Sequence, residues 1–134
     1  MYNNPTATIK LELDLRKDTI ASLLSAAFEG GSNYWYFLNS KKAPKRLAYK
    51  MDGPDGTTFP HIDYPLNEGG ELEIWDMEDD KKSYTLNLAA IKAGMKIFSE
   101  EYPEHFADAI SERGDCVTGD VFLQCCLFGE LIYG

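Results

Sequence analysis

Residues 71–98 read ELEIWDMEDDKKSYTLNLAAIKAGMKIF, and the spacing of their apolar positions changes part-way along. From Glu71 to Met77 the chain alternates, with Leu72, Ile74 and Asp76 on one parity, which predicts a strand with one buried face. Glu78 to Lys82 is polar and predicts a hairpin turn into a second strand, Ser83 to Leu86. After that the period lengthens. Leu88, Ile91, Met95 and Phe98 recur every three or four residues, so they share one face of a helix. Asn87 is a suitable N-cap for it, and Tyr102-Pro103 stops it, because the residue before a proline is pushed out of helical geometry.

Towards the N-terminal side, Ile9, Leu11, Leu13 and Leu15 alternate with Lys10, Glu12 and Asp14, which predicts another strand. Asp18 is placed to cap a helix whose apolar positions are Ile20, Leu23, Leu24, Ala27 and Phe28. Gly30 and Gly31 would end it by admitting a left-handed residue. Tyr34 to Leu38 is aromatic and strand-prone, giving a β–α–β beginning. Residues 39–65 hold four of the six prolines. They are expected to be irregular, or two short strands about Asp52-Gly53-Pro54-Asp55-Gly56, and long enough to serve as a binding loop.

Towards the other end, Glu104 to Glu112 predicts a short helix ended by Gly114. A last helix is expected with Thr118 or Asp120 as its cap, and with Val121, Phe122, Cys125, Cys126 and Phe128 on an apolar surface. Strands interleaved with helices give way to helices alone. The class is therefore α+β: a small mixed or antiparallel sheet packed against three to four helices, in a single compact domain over residues 1–134.

The net charge is −9, from 22 acidic and 13 basic residues. That argues against direct nucleic-acid binding, where affinity comes from Lys and Arg displacing counterions. Lys41, Lys42, Lys45, Arg46 and Lys50 form the one basic cluster. It reads as a solvated loop or as a counter-charge for a phosphate-bearing ligand. Cys116, Cys125 and Cys126 are odd in number and contain an adjacent pair, which favours reduced thiols. No apolar stretch nears the roughly 20 residues of a membrane helix. No targeting pattern appears at Met1, so the expected location is cytoplasmic, with no membrane partner.

The densest polar and aromatic signal is Glu29-Gly30-Gly31-Ser32-Asn33-Tyr34-Trp35-Tyr36. Two glycines allow close approach of a ligand to the backbone, and Ser32 and Asn33 supply short polar groups. Three successive aromatics on a strand cannot all face one core. Tyr34, Trp35 and Tyr36 therefore either line a pocket, stacking on a planar ligand, or fill the interior beyond a helix stop. His61 and Asp63 lie two apart between Pro60 and Pro65 and would project to one side of an extended chain. That pairing suits acid–base work or surface hydrogen bonding, and metal binding lacks a third ligand. Asp120 and Gln124 are four apart, so they share a helix face and can present hydrogen-bonding groups together. Asp120 also has a bland role near a helix N-terminus. The cysteines read as small core residues, with no partner base.

Three segments, Phe28 to Tyr36, Pro65-Leu66-Asn67-Glu68-Gly69-Gly70, and Gly119 to Gly134, resemble a family of small phage and prophage proteins. What the resemblance implies is a cytoplasmic accessory protein of infection, acting against host defences. The leading expectation is a non-enzymatic binder without cofactor or metal, sequestering a planar, nucleotide-like small molecule. Its ligand site would combine Glu29, Ser32, Asn33, Tyr34, Trp35, Tyr36, His61, Asp63, Asp120 and Gln124. The alternative is an acidic inhibitor that binds a host defence protein, for which the negative charge is suited. A second alternative is a small hydrolase using His61 with Asp63 or Glu29. Aromatic surface beyond the needs of one small core also fits a homodimer interface.

Overall fold

The computed structural model describes residues 7, 12–37, 51–52, 58–59, 64–67, 69–79 and 81–134. Within them four helices, α1 (Lys17–Ala26), α2 (Leu88–Glu101), α3 (Pro103–Ile110) and α4 (Cys116–Phe128), accompany five short strands. The strands are β1 (Tyr36–Phe37), β2 (Met51–Asp52), β3 (Thr58–Phe59), β4 (Leu72–Asp76) and β5 (Ser83–Leu86). β1, β4 and β5 form an antiparallel sheet with β4 in the centre, and β2 pairs with β3 separately. The architecture is α+β, as the change of period between 71 and 98 predicts.

β4 and β5 pair in the register Leu72 with Leu86 and Ile74 with Tyr84, so the alternating residues of β4 line up across the hairpin. Leu72, Ile74 and Leu86 are fully buried. α2 begins where expected, because the Asn87 side chain accepts a hydrogen bond from the Ala90 amide at 2.9 Å. The helix ends before Pro103, which opens α3 at a position where a missing N–H costs nothing.

α4 is the centre of the molecule. Residues 118–126 are buried without a break, so this helix is covered all round rather than on one stripe. It packs on α1, α2, α3 and β5. Two glycines make those contacts close. A Cβ at Gly119 would lie 2.7 Å from the Leu23 carbonyl oxygen and from Ala26 Cβ on α1. A Cβ at Gly94 of α2 would lie 2.5 Å from Cys126 Cα. Each helix crossing depends on one missing side chain.

Four local expectations are corrected. Residues 12–16 join no sheet and lead straight into α1. Their leucines lie along a cleft shared with α2 and α3 instead of beside a strand; residues 9–11 of that expected strand fall outside the described residues. Arg16, in extended geometry, takes the N-cap position of α1. Asp18 sits in the first turn and receives the Arg16 guanidinium at 2.6 Å, where a carboxylate still favours the helix dipole. Gly30 and Gly31 are not left-handed. The helix widens into a π turn over Ala27–Gly31, closed by the Ser32 amide on the Ala27 carbonyl at 2.8 Å. Asp115 caps α4, three residues before Thr118 and five before Asp120. Asp115 and Thr118 bond each other's backbone amides in a reciprocal capping box. Those bonds hold the Asp115 carboxyl below the usual range. The left-handed glycine cap occurs at Gly129, φ 75°, beyond α4.

Candidate functional site

Among the described residues, two of the regions that bring polar or charged groups beside apolar surface are built in opposite ways.

The first unites the π turn with α4. Asp120 is buried, and its Oδ1 accepts hydrogen bonds from the Ser32 hydroxyl at 2.8 Å and the Trp35 indole N–H at 2.7 Å. Its Oδ2 accepts from the Tyr34 hydroxyl at 2.7 Å and from Gln124 Nε2 at 3.2 Å. Four donors thus surround one carboxylate, and no Lys or Arg among the described residues pairs with it. A buried carboxylate held this way is stabilised by charge-assisted bonds instead of a counter-ion. The arrangement pushes the Tyr34 phenol up to about 12, through burial first and then through its bond to Asp120 and the charge there.

Gln124 is fully buried and equally committed. Its Oε1 accepts from the Ile132 and Tyr133 amides at 2.9 and 2.8 Å, and its Nε2 donates to the Tyr133 carbonyl at 3.1 Å. Residues 131–134 therefore lie across this face as a strap. The Tyr133 ring stacks on Trp35 with centroids 5.7 Å apart and planes 23° from parallel. The Tyr133 hydroxyl donates to Asp76 Oδ2 at 2.6 Å, and that bond leads the causes that push this phenol up to about 12.

Of the residues expected in a ligand site, Ser32, Tyr34, Trp35, Asp120 and Gln124 do converge, but on one another. Tyr36 turns the other way. Its hydroxyl donates to the Phe28 carbonyl at 2.7 Å, its ring meets Phe28 edge-on, and burial, with the nearby Glu29 charge, raises its pKa. The aromatic run thus splits: Trp35 and Tyr36 are interior, whereas Tyr34 remains 49% exposed around its bonded hydroxyl. Glu29 is exposed and accepts the Ser25 hydroxyl at 2.8 Å; Asn33 is exposed as well. His61 and Asp63 lie outside the described residues, as do the basic residues 41–50. Asp76 and Tyr133 belong to this cluster and were not among the expected site residues. Asp76 shares the parity of Leu72 and Ile74, which placed it on the buried face of its strand.

The second region is a cleft of about 530 Å³ between the start of α1 and helices α2 and α3. Leu13, Leu15, Ile20, Ile91, Met95 and Phe106 make its apolar walls. Lys17, Lys92 and Lys96 stand among the residues that line it. Lys92 and Lys96 are four apart on α2 and exposed, and neither forms an ion pair among the described residues. Lys17 Nζ donates to Asn67 Oδ1 at 2.8 Å, tying α1 to the segment that follows Leu66. The signal in the sequence was two lysines interleaved with the core positions Ile91 and Met95, which reads first as an ordinary solvated helix face.

Cys125 and Cys126 are buried on α4, and burial drives the Cys125 thiol up to about 11 and the Cys126 thiol higher than its usual value. Neither is a ready thiolate. No group of three His, Cys, Asp or Glu among the described residues is arranged to hold a metal ion. No helix among them is long and apolar enough to cross a membrane. No protein family, curated protein or solved structure matches this chain.

Proposed function

We propose that this chain acts by binding, and that the cleft between α1, α2 and α3 takes a nucleotide-like anion. The ligand's flat body lies on the apolar walls, where Phe106 offers an aromatic face, and its phosphate meets Lys17, Lys92 and Lys96. The observation that carries this reading is the conjunction of an apolar concavity, whose rim also holds Asp14, with Lys92 and Lys96, which form no ion pair among the described residues, in a chain of net charge −9. Lysines without ion partners among the described residues, beside an apolar wall, are matched to a ligand that is apolar at one end and anionic at the other. The volume falls in the range of small-molecule sites, roughly 300–1,000 Å³. The resemblance to small phage proteins supplies a setting, the sequestering of a nucleotide signal in the host cytoplasm to blunt a defence. Relative to the sequence-based expectation, this moves the ligand away from the Glu29–Tyr36 turn, whose polar groups are spent on each other.

The test is calorimetric titration of a panel of mono- and dinucleotides against the chain and its Lys92→Glu/Lys96→Glu variant. Binding that falls at least ~30-fold in the variant, and weakens with salt, is expected when two charge contacts are reversed. Affinity unchanged by the double substitution, or no binding by any member of the panel, would contradict the reading.

A second reading, direct inhibition of a host defence protein, draws on a different surface. Ile110 and Val117 are 46% and 54% exposed on either side of a connection that carries Glu112 and Asp115. The same connection carries the exposed Arg113, so two apolar side chains beside two acids and one base would suit a protein partner whose binding depends only moderately on salt.

A further inference from the structure

Residues 131–134 are attached to the body of the protein in the manner of a bound peptide. They pair with no strand and continue no helix, because Gly129 turns the chain out of α4 in left-handed geometry. Leu131 and Ile132 keep 38% and 53% of their surface exposed, so side-chain burial contributes little to holding them. Main-chain recognition dominates instead. The Gln124 amide reads the Ile132 and Tyr133 peptide groups through three hydrogen bonds. The Leu131 amide donates to the Tyr102 hydroxyl at 3.1 Å. One side chain is read specifically: the Tyr133 ring by Trp35 and its hydroxyl by Asp76. Gly134, at φ 87°, lies where a Cβ would come within 2.8 Å of the Tyr34 hydroxyl, so a side chain is disfavoured there by the left-handed backbone and by that contact. Main-chain bonds for affinity, with one shaped pocket for specificity, is a way in which proteins recognise short peptide segments.

We propose that the cradle formed by Trp35, Asp76 and Gln124 is a recognition site for an Ile-Tyr-Gly segment turned so that its Ile and Tyr amides meet one acceptor. Residues 131–134 of the same chain fill it, and those of a second copy take their place when the strap lets go. A short tether gives the chain's own strap an effective concentration in the millimolar range, so exchange becomes visible when that strap is weakened.

The full-length Tyr133→Ala variant weakens the strap and leaves the cradle whole. A peptide of residues 130–134, Glu-Leu-Ile-Tyr-Gly, added at millimolar concentration should raise the melting temperature of this variant by a few degrees and shift its tryptophan fluorescence. The same peptide with alanine for tyrosine should do neither, because a ligand stabilises only the state that binds it. A folded variant that ignores the tyrosine peptide overturns the proposal. Hydrogen exchange on the unaltered chain decides the matter should the variant fail to fold. Amides 132 and 133 should then exchange at least ~100-fold faster than those of central α4, through local opening. Equal protection would mean that the strap leaves only when the whole protein unfolds, and would overturn the proposal as well.

Discussion

Asp120 and Lys96 are both charged residues on helices that build the interior, and their fates are opposite. Asp120 is buried on α4, where four donors reach its two oxygens. Lys96 stands exposed on α2 at a cleft with apolar walls and has no ion partner among the described residues. A dense cluster of polar residue types is therefore not by itself a site. A site needs groups left over after the fold has used what it requires, and the lysine-bordered cleft has them. The polar hub around Asp120 consumes its groups in joining the π turn, α4 and the strap.

The sharpest way to break this contrast is to remove the hub's acceptor. Asp120→Ala strands the buried Ser32 and Trp35 donors and removes one acceptor from Gln124, and should cost on the order of 4 kcal/mol in urea unfolding. A loss below ~1 kcal/mol would mean that the hub is not structural and would return its residues to the list of ligand contacts.

A smaller effect is expected at alkaline pH. The Tyr34 and Tyr133 phenols are raised from 10.0 to about 12 by groups of the hub and strap. A raised folded-state value means that folding favours the protonated phenol. Its stabilisation is fully present below pH 10 and is lost as pH rises from about 10 to about 12. Melting temperature should therefore fall across that window, and the Tyr34→Phe/Tyr133→Phe variant should show a shallower fall. Parallel curves would show that these hydroxyls are not coupled to folding. The least effect belongs to the cleft. Lys92→Glu/Lys96→Glu should leave stability within about 0.5 kcal/mol, since the lysines hold nothing together. A larger loss would place them in the scaffold with Asp120.

The sequence carried the framework where one period ruled a segment. The β4–β5 hairpin and α2 with its Asn87 cap follow from alternation, then from three-to-four spacing. Residues 12–16 show the limit: Leu13 and Leu15 alternate as a strand would, but a helical cleft accepts them equally well, and alternation cannot tell the two apart. The polar hub was half legible. Asp120 and Gln124 were matched by their helical spacing, and Ser32 to Tyr36 by their density. That the two groups meet is a fact of the π turn and the close α1–α4 crossing at Gly119, neither of which has a local signature. The role of Tyr133 depends on Gly129 folding the strap back, a tertiary event. Lys92 and Lys96 were hidden because a solvated helix face and a ligand-binding rim have the same composition. The cleft beside them is what supports the second reading.

The central claim is that the cleft, and not the polar hub, receives the ligand. Amide chemical shifts of the isotope-labelled chain, followed by NMR during titration with a nucleotide, locate the contact directly. A ligand in the cleft should concentrate the shifts at residues 13–20, 88–99 and 106. Shifts concentrated instead at residues 32–36 and 120–124 would contradict it and restore the aromatic turn as the site.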